Sequence, residues 1–169
     1  MASRAGHQAM TRTLTQPVAA DTARHSCHFQ LIVDVHLLLL SDEEVLLGRR
    51  ANTGYGDGAY EPPCDRLAER ETLVEAAVRV AAAQVGIALD PTRLSLAHVM
   101  HDVSGPGRMA FFLTADGWAG EVGAAATSYS DFGWFPLYEL PANMIDRARV
   151  AVRNFAAGAS FSTYPAFGM

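Results

Sequence analysis

Hydrophobic and polar positions along the chain change period several times, and each change predicts an element. The segment FQLIVDVHLLLL from Phe29 to Leu40 first alternates and then becomes continuously apolar, which predicts a β-strand buried on both faces at its end. Polar residues from Ser41 to Glu44 predict a turn, Val45 to Arg49 a second strand, and a loop follows through Pro63 with a short strand around Tyr60. The period then becomes helical. Leu73, Ala76, Ala77 and Val80 share one helical face, and Thr72 with Glu75 three residues later forms the S/T-x-x-E capping box that starts a helix near Leu73. Gly86 predicts its C-terminal stop, since glycine enters the left-handed conformation without steric cost. After Pro91, strands at Leu94 to Val103 and Arg108 to Thr114, joined by Ser104 to Gly107 (SGPG), predict a hairpin. A strand at Gly133 to Phe135 and a helix at Ile145 to Ala156, with Ala148, Val152 and Phe155 on one face, complete an α/β pattern.

The two ends lack this periodicity. Residues 1–26 are expected to be a flexible arm, because they contain neither an apolar face nor the hydrophobic core of a secretory signal; their Arg and Ser content also resembles an organelle transit peptide. Residues 27–157 are then the domain and residues 158–169 a tail. In that tail Phe161, Tyr164 and Phe167 recur every third position, which suits either aromatics folding back over a pocket or dimer surface, or a loosely ordered end.

Composition narrows the chemistry. At 169 residues, half of them apolar, the chain can bury one sizeable core. Its longest aliphatic run, Leu37 to Leu40, is far shorter than the ~18 residues of a membrane span, so no membrane partner is expected. All 13 basic residues are arginine, which excludes a Walker A phosphate loop and a Schiff-base lysine. The glycines Gly54, Gly56 and Gly58 therefore predict turns. A net charge of −5 offers no basic surface for nucleic acid. With only Cys27 and Cys64 and no secretion signal, a reduced, cytoplasmic protein is expected.

The segment RLAERETLVEAAVRVAAAQVGI, residues 66–87, resembles in register the signature helix of the Nudix hydrolases, G-x5-E-x7-R-E-U-x-E-E-x-G-U with U aliphatic. Glu71, Arg79, Gly86 and Ile87 match it. The signature's first glycine falls on Asp65, and its three remaining glutamates fall on Val80, Ala83 and Gln84. Similarity extends over roughly residues 29–155, through LAHVMHD, RMAFFLTADGWAGE and FGWFPLYELPANMI. The resemblance implies an α/β/α sandwich with a mixed sheet, a brace between Glu71 and Arg79, and a substrate cleft beside the helix. Spacing of i, i+3, i+4 would let carboxylates at 80, 83 and 84 converge on Mg²⁺, whereas valine, alanine and glutamine cannot replace them. A second segment, VGAAATSYSDFG between Glu121 and Trp134, lacks the acidic and lysine-containing stretch of many relatives. No metal and no other cofactor are therefore expected.

Several residues could carry chemistry in such a cleft. Cys64, just before the helix, reads either as a thiol of lowered pKa or as an incidental buried cysteine. His98 and His101 alternate across a strand, so they should not share one metal, but one of them could face the pocket as a general base. Glu71 joins these as a catalytic candidate. His36 reads as a satisfied sheet residue. For substrate binding, Arg49, Arg50, Tyr55, Asp57 and Tyr60 precede the helix, and Arg66 with Arg70 could clamp an anion or simply be solvated. Three functions follow: metal-independent isomerisation, cyclisation or elimination of a small molecule in biosynthesis; Mg²⁺-dependent hydrolysis of a nucleoside or other diphosphate through Glu69, Glu71, Glu75 and Asp131; or non-catalytic ligand binding. The partner is expected to be a small molecule, with a homodimer as the default oligomer.

Overall fold

The structure, a computed structural model, describes residues 29–165. The N-terminal arm expected over residues 1–26, together with Cys27 and Phe167, lies outside the described residues.

Two sheets form the centre. Strand β1 (Ile32–Leu38) leaves the apolar run at Leu39, after which β2 (Leu40–Ser41) pairs with β3 (Glu44–Arg50) in the second sheet. The run is thus one strand by composition but two by hydrogen bonding. Next come β4 (Tyr60–Glu61), β5 (Cys64–Arg66), β6 (Leu94–Asp102), β7 (Arg108–Ala115), β8 (Tyr129–Pro136) and β9 (Phe161–Tyr164). The first sheet is mixed, in the order β5-β1-β7-β6-β9, with β1 parallel to β7 and β9 parallel to β6. In the second sheet β3 pairs antiparallel with β2, β4 and β8.

Helix α1 (Leu73–Val80) buries Ala76, Ala77 and Val80 against Val35, Leu37 and Leu113. Helix α2 (Asp146–Ala156) buries Ala148, Ala151 and Val152 against Leu38, Met100 and Phe112. Alternation along β1 explains the two cores: Val35 and Leu37 face α1, while the intervening positions face α2. The result is an α/β/α sandwich with a mixed sheet.

The predicted capping box is complete. Thr72 Oγ1 accepts from the Glu75 N–H at 3.2 Å, and Glu75 Oε2 accepts from the Thr72 N–H at 2.8 Å. Beyond Val80 the helix widens into a π-type turn, Ala81–Val85, and ends at Gly86 with φ +80°.

Two boundaries differ from expectation. The last central strand runs from Tyr129 to Pro136 rather than Gly133 to Phe135, because pairing with β3 extends it through polar residues that face outward. The expected tail instead supplies β9, whose ladder to Val99–Asp102 makes it the edge of the first sheet. Short polar edge strands carry little apolar signal, and so this one escaped the sequence pattern. Among the described residues no helix is long and apolar enough to cross a membrane.

Candidate functional site

A cleft of about 470 Å³ opens where β1, β4, β5 and β8 meet the loop between β6 and β7. Its floor is polar because β1 places Asp34 and His36 on the α2-facing side of an otherwise aliphatic strand. Asp34 accepts from Arg108 Nη1 at 2.8 Å. His36 is fully buried, stacked on Phe112 with ring centroids 4.5 Å apart. Burial lowers its pKa below the usual imidazole value, outweighing the nearby carboxylates of Glu61 and Asp34, so the ring is neutral.

Glu61, on β4, is buried beside it. Arg50 Nη1 donates to Glu61 Oε1 in a close ion pair, and the Tyr129 hydroxyl lies 3.5 Å from the same oxygen. Burial opposes the Arg50 charge, but Glu61 outweighs it and holds the guanidinium above its usual pKa. Burial together with the neighbouring Cys64 and Glu61 pushes the Tyr129 phenol well up, so it stays protonated and can donate. Two atoms in this wall, His36 Nδ1 and Glu61 Oε2, have no hydrogen-bond partner among the described residues.

Of the catalytic and substrate-binding candidates read from sequence, Cys64, Arg50, Tyr55 and Arg66 line the cleft, and the other seven do not. Cys64 accordingly faces the cleft, but its thiol is not activated: burial and the Glu61 charge push its pKa well above the ordinary value. His98 is a correction to the expected general base. Its ring is fully buried, Nδ1 is 2.8 Å from the Ala159 carbonyl and Nε2 is 2.8 Å from Ser162 Oγ, so both nitrogens are spent on anchoring β9. His101 sits half-buried on the opposite face of β6, away from the cleft.

Glu71 is also removed from the catalytic set by its contacts. Its carboxylate receives Arg79 Nε at 2.7 Å, Arg79 Nη2 at 2.9 Å and the Ala68 N–H at 2.8 Å, which hold its pKa at about 2. This is a loop-to-helix brace, completed by Arg79 Nη1 to Asp65 at 2.6 Å. Among the expected substrate binders, Arg49 donates to the Gly58 carbonyl, Asp57 accepts from Thr53 within the loop, Tyr60 reaches Asp131, and Arg70 is exposed beside Glu69. None of these four lines the cleft, and Tyr60 packs edge-on against Phe135.

The three helix positions of interest lie in different environments. Val80 is fully buried in the core, Ala83 is exposed in the π-type turn, and Gln84 lines the cleft, where its side-chain oxygen accepts from Ser128 Oγ. Among the described residues no group of three or more His, Cys, Asp or Glu side chains is placed to hold a metal ion.

Asp34, His36, Glu61, Arg108 and Tyr129 were not foreseen as site residues. A usable signal existed for two of them, since Asp34 and His36 are polar at alternate positions of a buried strand. Glu61, Arg108 and Tyr129 come from three other strands, and only tertiary structure brings them together.

The fold is shared with known proteins. A MutT NUDIX hydrolase from Burkholderia pseudomallei superposes with TM-score 0.66 at 24% identity, covering 73% of this chain and 97% of that one. The MutT protein of Methanosarcina mazei Go1 gives 0.66 at 18% identity over 75% and 94%, and a NUDIX hydrolase from Nitrosomonas europaea gives 0.58 at 19% over 84% and 82%. No curated protein matches the sequence. The NUDIX domain model, however, matches residues 30–155, most of the chain, and by that match the protein belongs to the Nudix family.

Proposed function

We propose that this Nudix-fold protein acts on a small organic molecule by proton transfer, without a divalent metal on the α1 face, as an isomerase, cyclase or lyase of a biosynthetic step. One observation carries the reading: where the family signature has carboxylates, α1 and its π-type turn present a buried valine, an exposed alanine and a glutamine bonded to Ser128. Such a donor set does not fit Mg²⁺, which takes carboxylate, water and phosphate oxygens. The hydrolase alternative draws on the names of the structural neighbours. Its candidate ligands are poorly placed for it, since Glu71 is bound to Arg79, Glu75 caps α1 and Asp131 accepts from Tyr60.

The cleft floor suits proton transfer instead. In this reading the Glu61 carboxylate, held in place by the paired Arg50, takes a proton from the substrate and the same carboxyl returns it elsewhere on the molecule, while the Tyr129 O–H donates a hydrogen bond. Removal and return of one proton balances an isomerisation without oxidant or reductant. Neutral His36 packs under this corner as a second polar contact.

The test is calorimetric titration of Mg²⁺ and Mn²⁺ into the protein, alone and with nucleoside diphosphate compounds, with phosphate release followed in parallel. Neither tight metal binding nor phosphate release is expected. Metal-dependent turnover would restore the hydrolase, and saturable ligand binding with no conversion of any bound compound would leave a non-catalytic binder.

A further inference from the structure

We infer that the face of β6, β7 and β9 on the α1 side of the first sheet is an interface between two copies of this chain.

Alternation assigns each strand residue to one of the two faces of the sheet. Val35 and Leu37 of β1 and Leu113 of β7 belong to the core under α1, and the cross-strand register carries their face outward to the edge. One row runs Val35, Phe111, Val99, Phe161, and the next runs Leu37, Leu113, Leu96. Both rows are wholly apolar, yet burial fades along them. Val35 and Leu37 are fully buried and Leu113 is 3% exposed; Phe111 and Val99 are half-buried, and Leu96 and Phe161 reach 57% and 55%. The cause is the position of α1, which packs over β1 and β5 rather than over β6 and β9.

Alternation places Val103, just past the end of β6, on the same side, and it is 38% exposed. Leu96, Val103 and Phe161 are thus three of the seven exposed large apolar side chains among the described residues. Single exposed apolar residues are ordinary, but several on one continuous apolar face mark a surface that binds something.

Charge decides the occupant. On β6, β7 and β9 this face carries no Asp, Glu or Arg; its polar members are His101 and Thr163, whereas Asp102 and Arg108 lie on the opposite face. A chain of net charge −5 meets its own copy with least repulsion through such an uncharged face. Residues 1–28 are a poorer match, since they have no apolar periodicity and their three arginines would find no carboxylate here. A second copy packs sheet face against sheet face about a two-fold axis, with Leu96, Val99 and Phe161 at its centre. The floor of the cleft is on the α2-facing side, so both clefts stay open in the pair, and the inference is independent of the chemistry proposed for them.

The experiment is light scattering coupled to size-exclusion chromatography, with sedimentation velocity over a dilution series, on the full chain. A particle of twice the chain mass is expected. Leu96→Asp and Phe161→Asp should each raise the dimer dissociation constant about a hundredfold, by placing two carboxylates across the axis in an apolar contact. Both side chains are exposed in the single copy, so the circular dichroism of either variant should match that of the parent. Tyr138→Asp, 78% exposed and bonded to the Ala156 carbonyl on the α2 side, should leave the dimer intact. A monomer at every concentration would overturn the inference, whether residues 1–28 or a different protein then covers the face. A dimer that both folded variants leave unweakened, or that Tyr138→Asp dissociates, would overturn it by placing the interface elsewhere.

Discussion

Glu61 and Arg50 show how little a residue's type reveals before its neighbours are known. Both are charged, yet Glu61 is fully buried and the Arg50 side chain is 13% exposed, so either one left alone would be an uncompensated charge in the interior. Arg50→Leu is expected to cost about 3 to 5 kcal/mol in urea unfolding, and the double variant Arg50→Leu, Glu61→Leu less than that, since no charge remains unpaired. Glu71 gives a pH signature. Its folded pKa of about 2 lies below its ordinary 4.5, so the unfolded chain binds the proton more readily as acid is added. The stability from this carboxylate is present above about pH 4.5 and is lost as pH falls toward 2. Replacing Glu71 with glutamine should flatten that part of the acid limb of a stability-against-pH curve, and an unchanged slope would rule out the brace as its source. The resemblance to the Nudix signature made the Glu71 brace legible, since both it and Arg79, eight positions on, belong to that one motif. It could not do the same for His98, whose two partners are more than sixty residues distant.

At the scale of elements, α1 carries both the clearest sequence signals and the clearest departure from them. Its start depends on local chemistry, and Thr72→Ala should cost about 1 kcal/mol by leaving first-turn N–H groups without their acceptor. Its end depends on Gly86 at φ +80°, where an added Cβ would make only an ordinary 3.6 Å contact with Ala125. The cost of Gly86→Ala is therefore conformational, about 1 to 2 kcal/mol, and thermal melts of the two variants together should be nearly additive. The π-type turn between these ends was not legible. It turns Gln84 to the cleft and leaves Val80 in the core, so positions that share a face in an ideal helix serve different environments. Nothing in the composition of AAAQV marks such a widening.

For the whole molecule, the C-terminal segment matters more than its composition suggests. Strand β9 and the turn before it extend the first sheet, provide the partners of both His98 nitrogens and place Tyr164 beside a second cavity. Truncation after Gly158 should remove about 2 to 6 kcal/mol, since each of the two buried His98 ring nitrogens orphaned costs about 1 to 3. Chromatography of that truncated chain should also show self-association, because the β6 edge becomes free to pair. A monomer of unchanged stability would mean that β9 is dispensable. Sequence by itself determined the longer strands and helices, the capping box and the glycine stop, which depend on periodicity or on partners within one short segment, while the Glu71–Arg79 brace was implied by the resemblance to the Nudix signature. The cleft was decided by tertiary structure. Asp34 and His36 reach it from β1, Arg50 from β3, Glu61 from β4, Arg108 from β7, Tyr129 from β8 and Arg147 from α2. Their chemistry depends on distances and burial set by sheet pairing, and neither quantity exists until the chain has folded.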